Sequence, residues 1–248
     1  MRYFIHLAYD GTAYHGWQAQ PNAVSVQQRV NEALSTLLRQ DIETTGAGRT
    51  DTGVHAACMV AHFDIGQEID TCRLSDKLNR ILPADISVHS VKPVIPEAHA
   101  RFDATSRTYH YHIYQYKNPF LQHYAARFYF TPNFELMNQA AAILLETSDF
   151  TSFSKVNTDT KTNICQVSKA QWTQVCEDHW RFEITADRFL RNMVRAIVGT
   201  LLDVGRQRIS IEQFQQIIKQ KNRCAAGESV PGNALSLMEI TYPSHLYL

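Results

Sequence analysis

The sequence predicts an α+β (mixed α/β) fold of two α/β halves built on mostly antiparallel sheet. Three observations carry that expectation: strand patterns in hairpin-like pairs, long gaps between the other strands, and two halves of similar coarse organisation. At 248 residues the chain is long enough for one large domain or two small ones, and 44% hydrophobic residues supply a core.

In the first half, Arg2 to Tyr9 reads as a strand, closed by a turn at Asp10, Gly11 and Thr12. Val26, Val30, Ala33, Leu34, Leu37 and Leu38 make one face of a helix from Val26 to about Arg39, with Ser25 and Gln28 as a capping box. A glycine-rich stretch, GAGRTDTGVHA, comes next. It is followed by a strand at Val60 to Ile65, a helix near Leu74 to Ile81 and a strand at Ile86 to Val91. The segment KPVIPEAHA is rich in proline and lacks periodicity, which places a domain boundary near residue 98 and gives halves of 1–98 and 99–248.

The second half begins with the strand RTYHYHIYQY and a helix from Phe134 to Glu146. Strands follow at Val167 to Val175 and Trp180 to Ala186. A helix is then expected from about Arg188 to Val204, with Asp187 as its N-cap. Ser210 and Gln213 form a second capping box for a helix at Ile211 to Lys219, with Phe214, Ile217 and Ile218 facing inward. Leu235 to Tyr242 is the last strand.

Lys+Arg and Asp+Glu number 24 each, so a nucleic-acid surface has to come from segregated charge, not from an excess of it. Aromatic residues at 10% and the absence of low-complexity runs exclude a disordered chain. The opening MRYFIHLAYD lacks the features of a signal peptide, and the longest clearly apolar run, Ala140 to Leu145, is far shorter than a membrane span. The five cysteines, Cys58, Cys72, Cys165, Cys176 and Cys224, fit neither a disulfide framework nor a zinc site. A cytoplasmic protein without membrane attachment is expected.

The glycines Gly46, Gly48 and Gly53 suggest a phosphate loop, but the spacing refuses it. A dinucleotide fingerprint needs glycine where Asp51 stands, and a Walker loop needs Lys where Val54 stands. What remains is a carboxylate, Asp51, flanked by Arg49 and Thr50 on a glycine-bent loop. Its plain reading is an Asx-turn; its chemical reading is a reactive carboxylate.

In RTYHYHIY, strand alternation puts Tyr109, Tyr111 and Ile113 on one face and His110, His112 and Tyr114 on the other. Tyr109 is either a core aromatic with its hydroxyl at the rim or a platform for a base. The His-x-His pair lacks a third ligand at metal-site spacing and reads as a polar strand face.

In DRFLRNMVRAIVG, helical spacing puts Arg188, Arg191 and Arg195 in one stripe. Residues 181–208 carry six Arg against three Asp+Glu. Arg101, Arg107, Lys117 and Arg127 interleave with tyrosines over 101–127 against Asp103 alone, a mixture that RNA surfaces use.

With these motifs in hand, the sequence resembles the TruA family of tRNA pseudouridine synthases, which act on the anticodon arm. The likeness covers nearly the whole chain: YDGTAYHGWQAQ, GAGRTDTGVHA, RFDATSRTYHYHIY, DFTSF, FLRNMVRAIVG and the closing strand. It implies Asp51 as the catalytic aspartate, Tyr109 as the active-site tyrosine, Arg195 as the basic partner of the aspartate and Arg49 as a helper in extruding the target base. Arg188 and Arg191 are the expected phosphate contacts.

The resemblance further implies two halves sharing a mixed sheet around a positively charged cleft, and a homodimer that holds tRNA. The implied substrates are uridines 38, 39 and 40, with no metal or organic cofactor. One departure is local: the family has a Gly-Leu pair after a Pro before the last strand, where this chain runs Pro231-Gly232-Asn233-Ala234-Leu235.

The implied reaction suits these residues. Uridine and pseudouridine are isomers, and breaking the C1′–N1 bond builds positive charge at C1′. One carboxylate can stabilise that charge, attack it or take a ribose proton. A non-catalytic RNA-binding module has no use for Asp51, and a glycoside hydrolase needs a second, facing carboxylate.

Overall fold

The structure, a computed structural model, describes residues 1–156 and 161–248. In chain order its main elements are β1 (Arg2–Tyr9), α1 (Val26–Leu38), β2 (Thr45–Gly46), β3 (His55–Asp64), α2 (Thr71–Ile81), β4 (Ile86–Val94) and β5 (Ser106–Tyr114). There follow β6 (Ala126–Arg127), α3 (Phe134–Ala142), β7 (Val167–Cys176), β8 (His179–Ala186), α4 (Met193–Gly205), α5 (Ile211–Gln220) and β9 (Leu235–Thr241). The chain forms two compact units, Met1–Ser106 with Ser236–Leu248, and Arg107–Leu235. The fold is mixed α/β, and its strand pairing is mostly antiparallel. No helix among the described residues is long and apolar enough to cross a membrane.

In the first unit β1 lies between β4 and β3, antiparallel to both, and β2 pairs with β3. β9 joins β3 in parallel through His55↔Ser236 and Ala56↔Leu237. The last strand therefore belongs with the first unit, and no single cut near residue 98 separates the two compact bodies. Proline-rich KPVIPEAHA does not stop β4, which runs through Pro93 to Val94. β4 ends the strand order of this unit's sheet, where a residue lacking an N–H is tolerated. α1 buries Val26, Val30, Ala33 and Leu34, and α2 buries Leu74 and Leu78. Only half of the capping box at Ser25 forms. Gln28 N–H donates to Ser25 Oγ, while the Gln28 amide reaches Glu32 at 2.9 Å instead of turning back.

In the second unit β8 pairs antiparallel with both β5 and β7, and β6 pairs in parallel with the end of β5. α3 continues as a 3-10 turn at Ile143–Leu145, and the Ser210–Gln213 capping box of α5 forms in full. Of the three inward positions expected on α5, Phe214 is fully buried and Ile217 and Ile218 are partly so.

The largest departure from the sequence reading is α4, which begins at Met193 and not at Arg188. Asp187 caps no helix: its Oδ1 accepts N–H groups from Gln166 at 2.8 Å and Arg188 at 2.7 Å, tying a loop instead. Asn192, with φ 66°, supplies the left-handed residue from which the helix starts. Arg188 and Arg191 are thus loop residues, and the expected three-arginine stripe does not exist. The helix itself is buried on nearly every side, as its apolar composition requires.

Candidate functional site

Asp51 and Arg49 belong to the first unit; Tyr109, Arg188, Arg191 and Arg195 belong to the second. Each group is shaped by its own unit.

The Asp51 loop is held by the segment that follows β1. Thr50 is the buried anchor: its hydroxyl meets Tyr9 Oη at 2.8 Å, and its carbonyl accepts the Trp17 N–H at 3.4 Å. On either side of this anchor, Arg49 is exposed and Asp51 half-buried. The Asp51 carbonyl accepts the Val54 N–H at 3.1 Å, and Tyr14 O accepts the Gly53 N–H at 3.3 Å. His55 Nδ1 lies 3.0 Å from the Gly11 N and 3.1 Å from Asp10 Oδ1, tying the turn after β1 to the start of β3.

Two close approaches fix the spacing. A Cβ on Gly11 would lie 2.1 Å from Val54 O, and one on Gly16 would lie 2.2 Å from Thr50 O. Gly16 also has φ +90°, a conformation costly for any other residue. The opening motif YDGTAYHGW is therefore the cradle of the loop that carries Asp51. The glycines and rings of that motif are the sequence signal of this role.

In the second unit Tyr109 sits on β5 opposite Ile184 of β8, half-buried, with the Phe189 ring edge-on at 5.1 Å and 88°. Phe189 reaches it because residues 187–192 form a loop, not a helical turn. Tyr111, two residues along, is fully buried, and its hydroxyl has no hydrogen-bond partner among the described residues. Burial raises its pKa, and the nearby charge of Arg195 pulls the other way.

Arg195 lies in the first turn of α4 and is clamped by a distant segment. Its Nε donates to Val230 O at 2.7 Å, and its own carbonyl accepts the Val230 N–H at 3.3 Å. That segment is held in turn by Arg223, which donates to Gly227 O at 3.1 Å and Ser229 Oγ at 2.8 Å. Asn192 donates to the same Ser229 hydroxyl at 2.6 Å. Gly199 lets the segment dock, since a Cβ there would stand 1.8 Å from Glu228 O. Arg223, Ser229 and Val230 are site-shaping residues that the sequence did not reveal.

Arg188 and Arg191 flank the Phe189 position. Arg188 is half-buried, and its charge acts on the Cys165 thiol; Arg191 is exposed, and its carbonyl accepts the Lys155 N–H at 3.1 Å. Among the described residues no group of His, Cys, Asp and Glu is arranged to hold a metal ion. The histidines of β5 have partners of another kind: His110 Nε2 lies 3.6 Å from Glu183, and His112 contacts His179 at 2.9 Å. At the departure before β9, residues Gly232–Ala234 make a 3-10 turn without a positive φ. The family's glycine is not required there.

The first unit thus presents a carboxylate on a glycine-built loop, and the second a tyrosine on a strand and a backbone-clamped arginine at a helix start. The chain belongs to the tRNA pseudouridine synthase family, a class of isomerases, whose sequence pattern matches residues 5–103 and 140–243. It is 58% identical over 247 residues to the tRNA pseudouridine synthase A of Bacteroides fragilis, covering 99% of this chain and 98% of that protein. With the protein of the same name from Bacteroides thetaiotaomicron the identity is 59% over 248 residues, covering 99% and 92%. The similarity extends to Bacillus subtilis tRNA pseudouridine synthase A, at 38% over 246 residues, covering 98% and 99%.

Proposed function

We propose that this protein converts uridine to pseudouridine at positions 38, 39 and 40 in the anticodon stem-loop of tRNA, with Asp51 as the reacting carboxylate. The reaction needs no oxidant or added atom: C1′–N1 breaks, uracil turns, C1′–C5 forms, C5 loses its proton and N1 gains one. Positive charge at C1′ calls for a fixed, ionised carboxylate, whether it acts as nucleophile, counter-charge or base. The observation that carries this reading is the anchoring of the Asp51 loop: buried Thr50 is held by Tyr9 and Trp17, and Asp51 stands beside it, half-buried.

Tyr109 forms a wall against the turning uracil and takes part in removing the C5 proton. Arg195 supplies a guanidinium whose Nε is already engaged by Val230, so its orientation is set before substrate arrives. Exposed Arg49 helps to hold the nucleotide out of its stack, a displacement costing roughly a few kcal/mol. Arg188 and Arg191 meet phosphates. The enzyme works in the cytoplasm as a homodimer.

The test pairs two measurements. Pseudouridine is mapped in tRNA from cells with and without the protein, and purified wild-type and Asp51→Asn proteins are assayed on unmodified tRNA. The expected result is loss of pseudouridine at 38–40 in the deleted strain and loss of turnover in the variant, with its fold and tRNA affinity kept. Turnover by the Asn variant, with reversion to Asp excluded, removes Asp51 from the mechanism.

A further inference from the structure

The second unit carries an aromatic and cationic surface that the candidate residues above do not use. Between Asp103 and Glu135 the chain holds no carboxylate, yet it carries Lys117 and Arg127 among exposed rings. Phe120 is 87% exposed and Tyr129 84%, so their ring faces are open to a partner.

Two of the rings are already topped by guanidinium groups. Arg127 lies over Tyr129 at 4.8 Å and Arg206 over Phe130 at 4.0 Å. Arg127 is steadied by donation from Nε to Gln115 O at 3.1 Å. A guanidinium held over a ring is restrained by that contact and keeps N–H donors of the kind that bind phosphate. Asp178, near Gln115, meets it through its backbone carbonyl, and Asp203 lies 3.6 Å from Arg208.

The location is set by two elements independently. The Phe128 N–H donates to Tyr114 O at 2.9 Å, which ties the aromatic run to the end of β5. From Tyr109 to Tyr114 is five strand residues, about 16 Å. From Arg195 to Arg206 along α4 is eleven helical residues, also about 16 Å. Along a nucleic-acid duplex such a span is about five base pairs.

We propose that Arg127, Arg206, Tyr129 and Phe120 form a second anchoring surface for the tRNA strand, remote from the reacting nucleotide and indifferent to sequence. The proposal rests on the reading that tRNA is the substrate. Charge favours RNA over a second copy of the chain, because two such faces would bring arginines and lysines against each other.

Binding of unmodified full-length tRNA is measured over a salt series in the Asp51→Asn background, so that nothing turns over. Arg127→Gln with Arg206→Gln is expected to weaken binding about tenfold near physiological salt and to lower the log–log salt slope by about two. Tyr129→Ala is expected to weaken it at least about fivefold with the slope unchanged, as loss of stacking would. With Asp51 intact, the same variants should raise KM for tRNA by about the same factor as they weaken binding.

Unchanged affinity and slope in the double variant overturn the proposal. So does a Phe120→Ser or Tyr129→Ala protein that changes oligomeric state by sedimentation while its tRNA affinity per protomer stays the same; the surface then joins copies of the chain. A wild-type protein that makes no pseudouridine, but whose tRNA binding depends on Arg127 and Arg206, would refute the proposed reaction and leave this surface standing.

Discussion

Gly16→Ala tests whether the opening segment sets the position of Asp51. Gly16 has φ +90°, where an L side chain is strained by roughly 1–2 kcal/mol. The added Cβ would also stand 2.2 Å from Thr50 O and 3.2 Å from the carbonyl carbon of Asp51. An ordinary contact is about 3.5 Å, so the Thr50 carbonyl has to retreat by more than about 1 Å. Its hydrogen bond from the Trp17 N–H, already 3.4 Å long, does not survive that movement.

Strain and the lost bond together come to about 2–3 kcal/mol, or a melting temperature lower by roughly 5–10 °C for a chain of this size. The kinetic effect is larger in kind. A displacement of about 1 Å next to a reacting group costs on the order of a hundredfold in kcat. Gly48→Ala in the same loop is the control, since nothing lies within 4 Å of a Cβ there and no positive φ is required. Pseudouridine formation and thermal melting are measured on both variants. A Gly16→Ala protein that melts earlier but turns over at the parental rate would refute the cradle argument.

Tyr109→Phe keeps the ring against Phe189 and deletes only the hydroxyl, so tRNA binding should persist while turnover slows at least roughly a hundredfold, with a deuterium effect at uridine C5. A near-native rate without an isotope effect would leave Tyr109 as a wall of the pocket. Arg188→Gln with Arg191→Gln should flatten the salt dependence of tRNA binding by about two in log–log slope; an unchanged slope places the phosphates elsewhere. Acid should destabilise the fold, because burial lowers the pKa values of His6, His62 and His112 to about 4. The unfolded chain takes up these protons near the ordinary histidine value of 6.5. Stability should therefore be full above that value and fall as pH drops toward 4. A melting temperature flat over that interval would contradict the burial.

The elements legible in the sequence were those decided by neighbours a few residues away. The face of α1, the Ser210–Gln213 box and the β7–β8 hairpin need only local patterning, and each stands where the periodicity put it. The start of α4 was misplaced because Asp187 looks like an N-cap. Its carboxylate is instead taken by Gln166, a residue 21 positions earlier. The membership of β9 in the first unit was equally hidden, since its partner β3 lies most of the chain away.

The same division explains which parts of the candidate site could be read. The loop of Asp51 could be read as glycine-bent because it is built from residues within GAGRTDTGVHA, but its cradle, with Gly11 and Gly16 against Val54 and Thr50, comes from a segment about 35 residues earlier. Arg195 looked like one of three arginines on a face because its distinguishing feature is a contact with Val230, 35 residues on. In both units the charged residue is fixed through main-chain carbonyls, those of Thr50 and Val230, and a carbonyl leaves no mark on side-chain identity. What it leaves is the glycine that permits its approach, Gly16 beside Thr50 and Gly199 beside Glu228. Glycine positions therefore report the site more faithfully than the spacing of the arginines, which pointed to a stripe that the folded chain does not form.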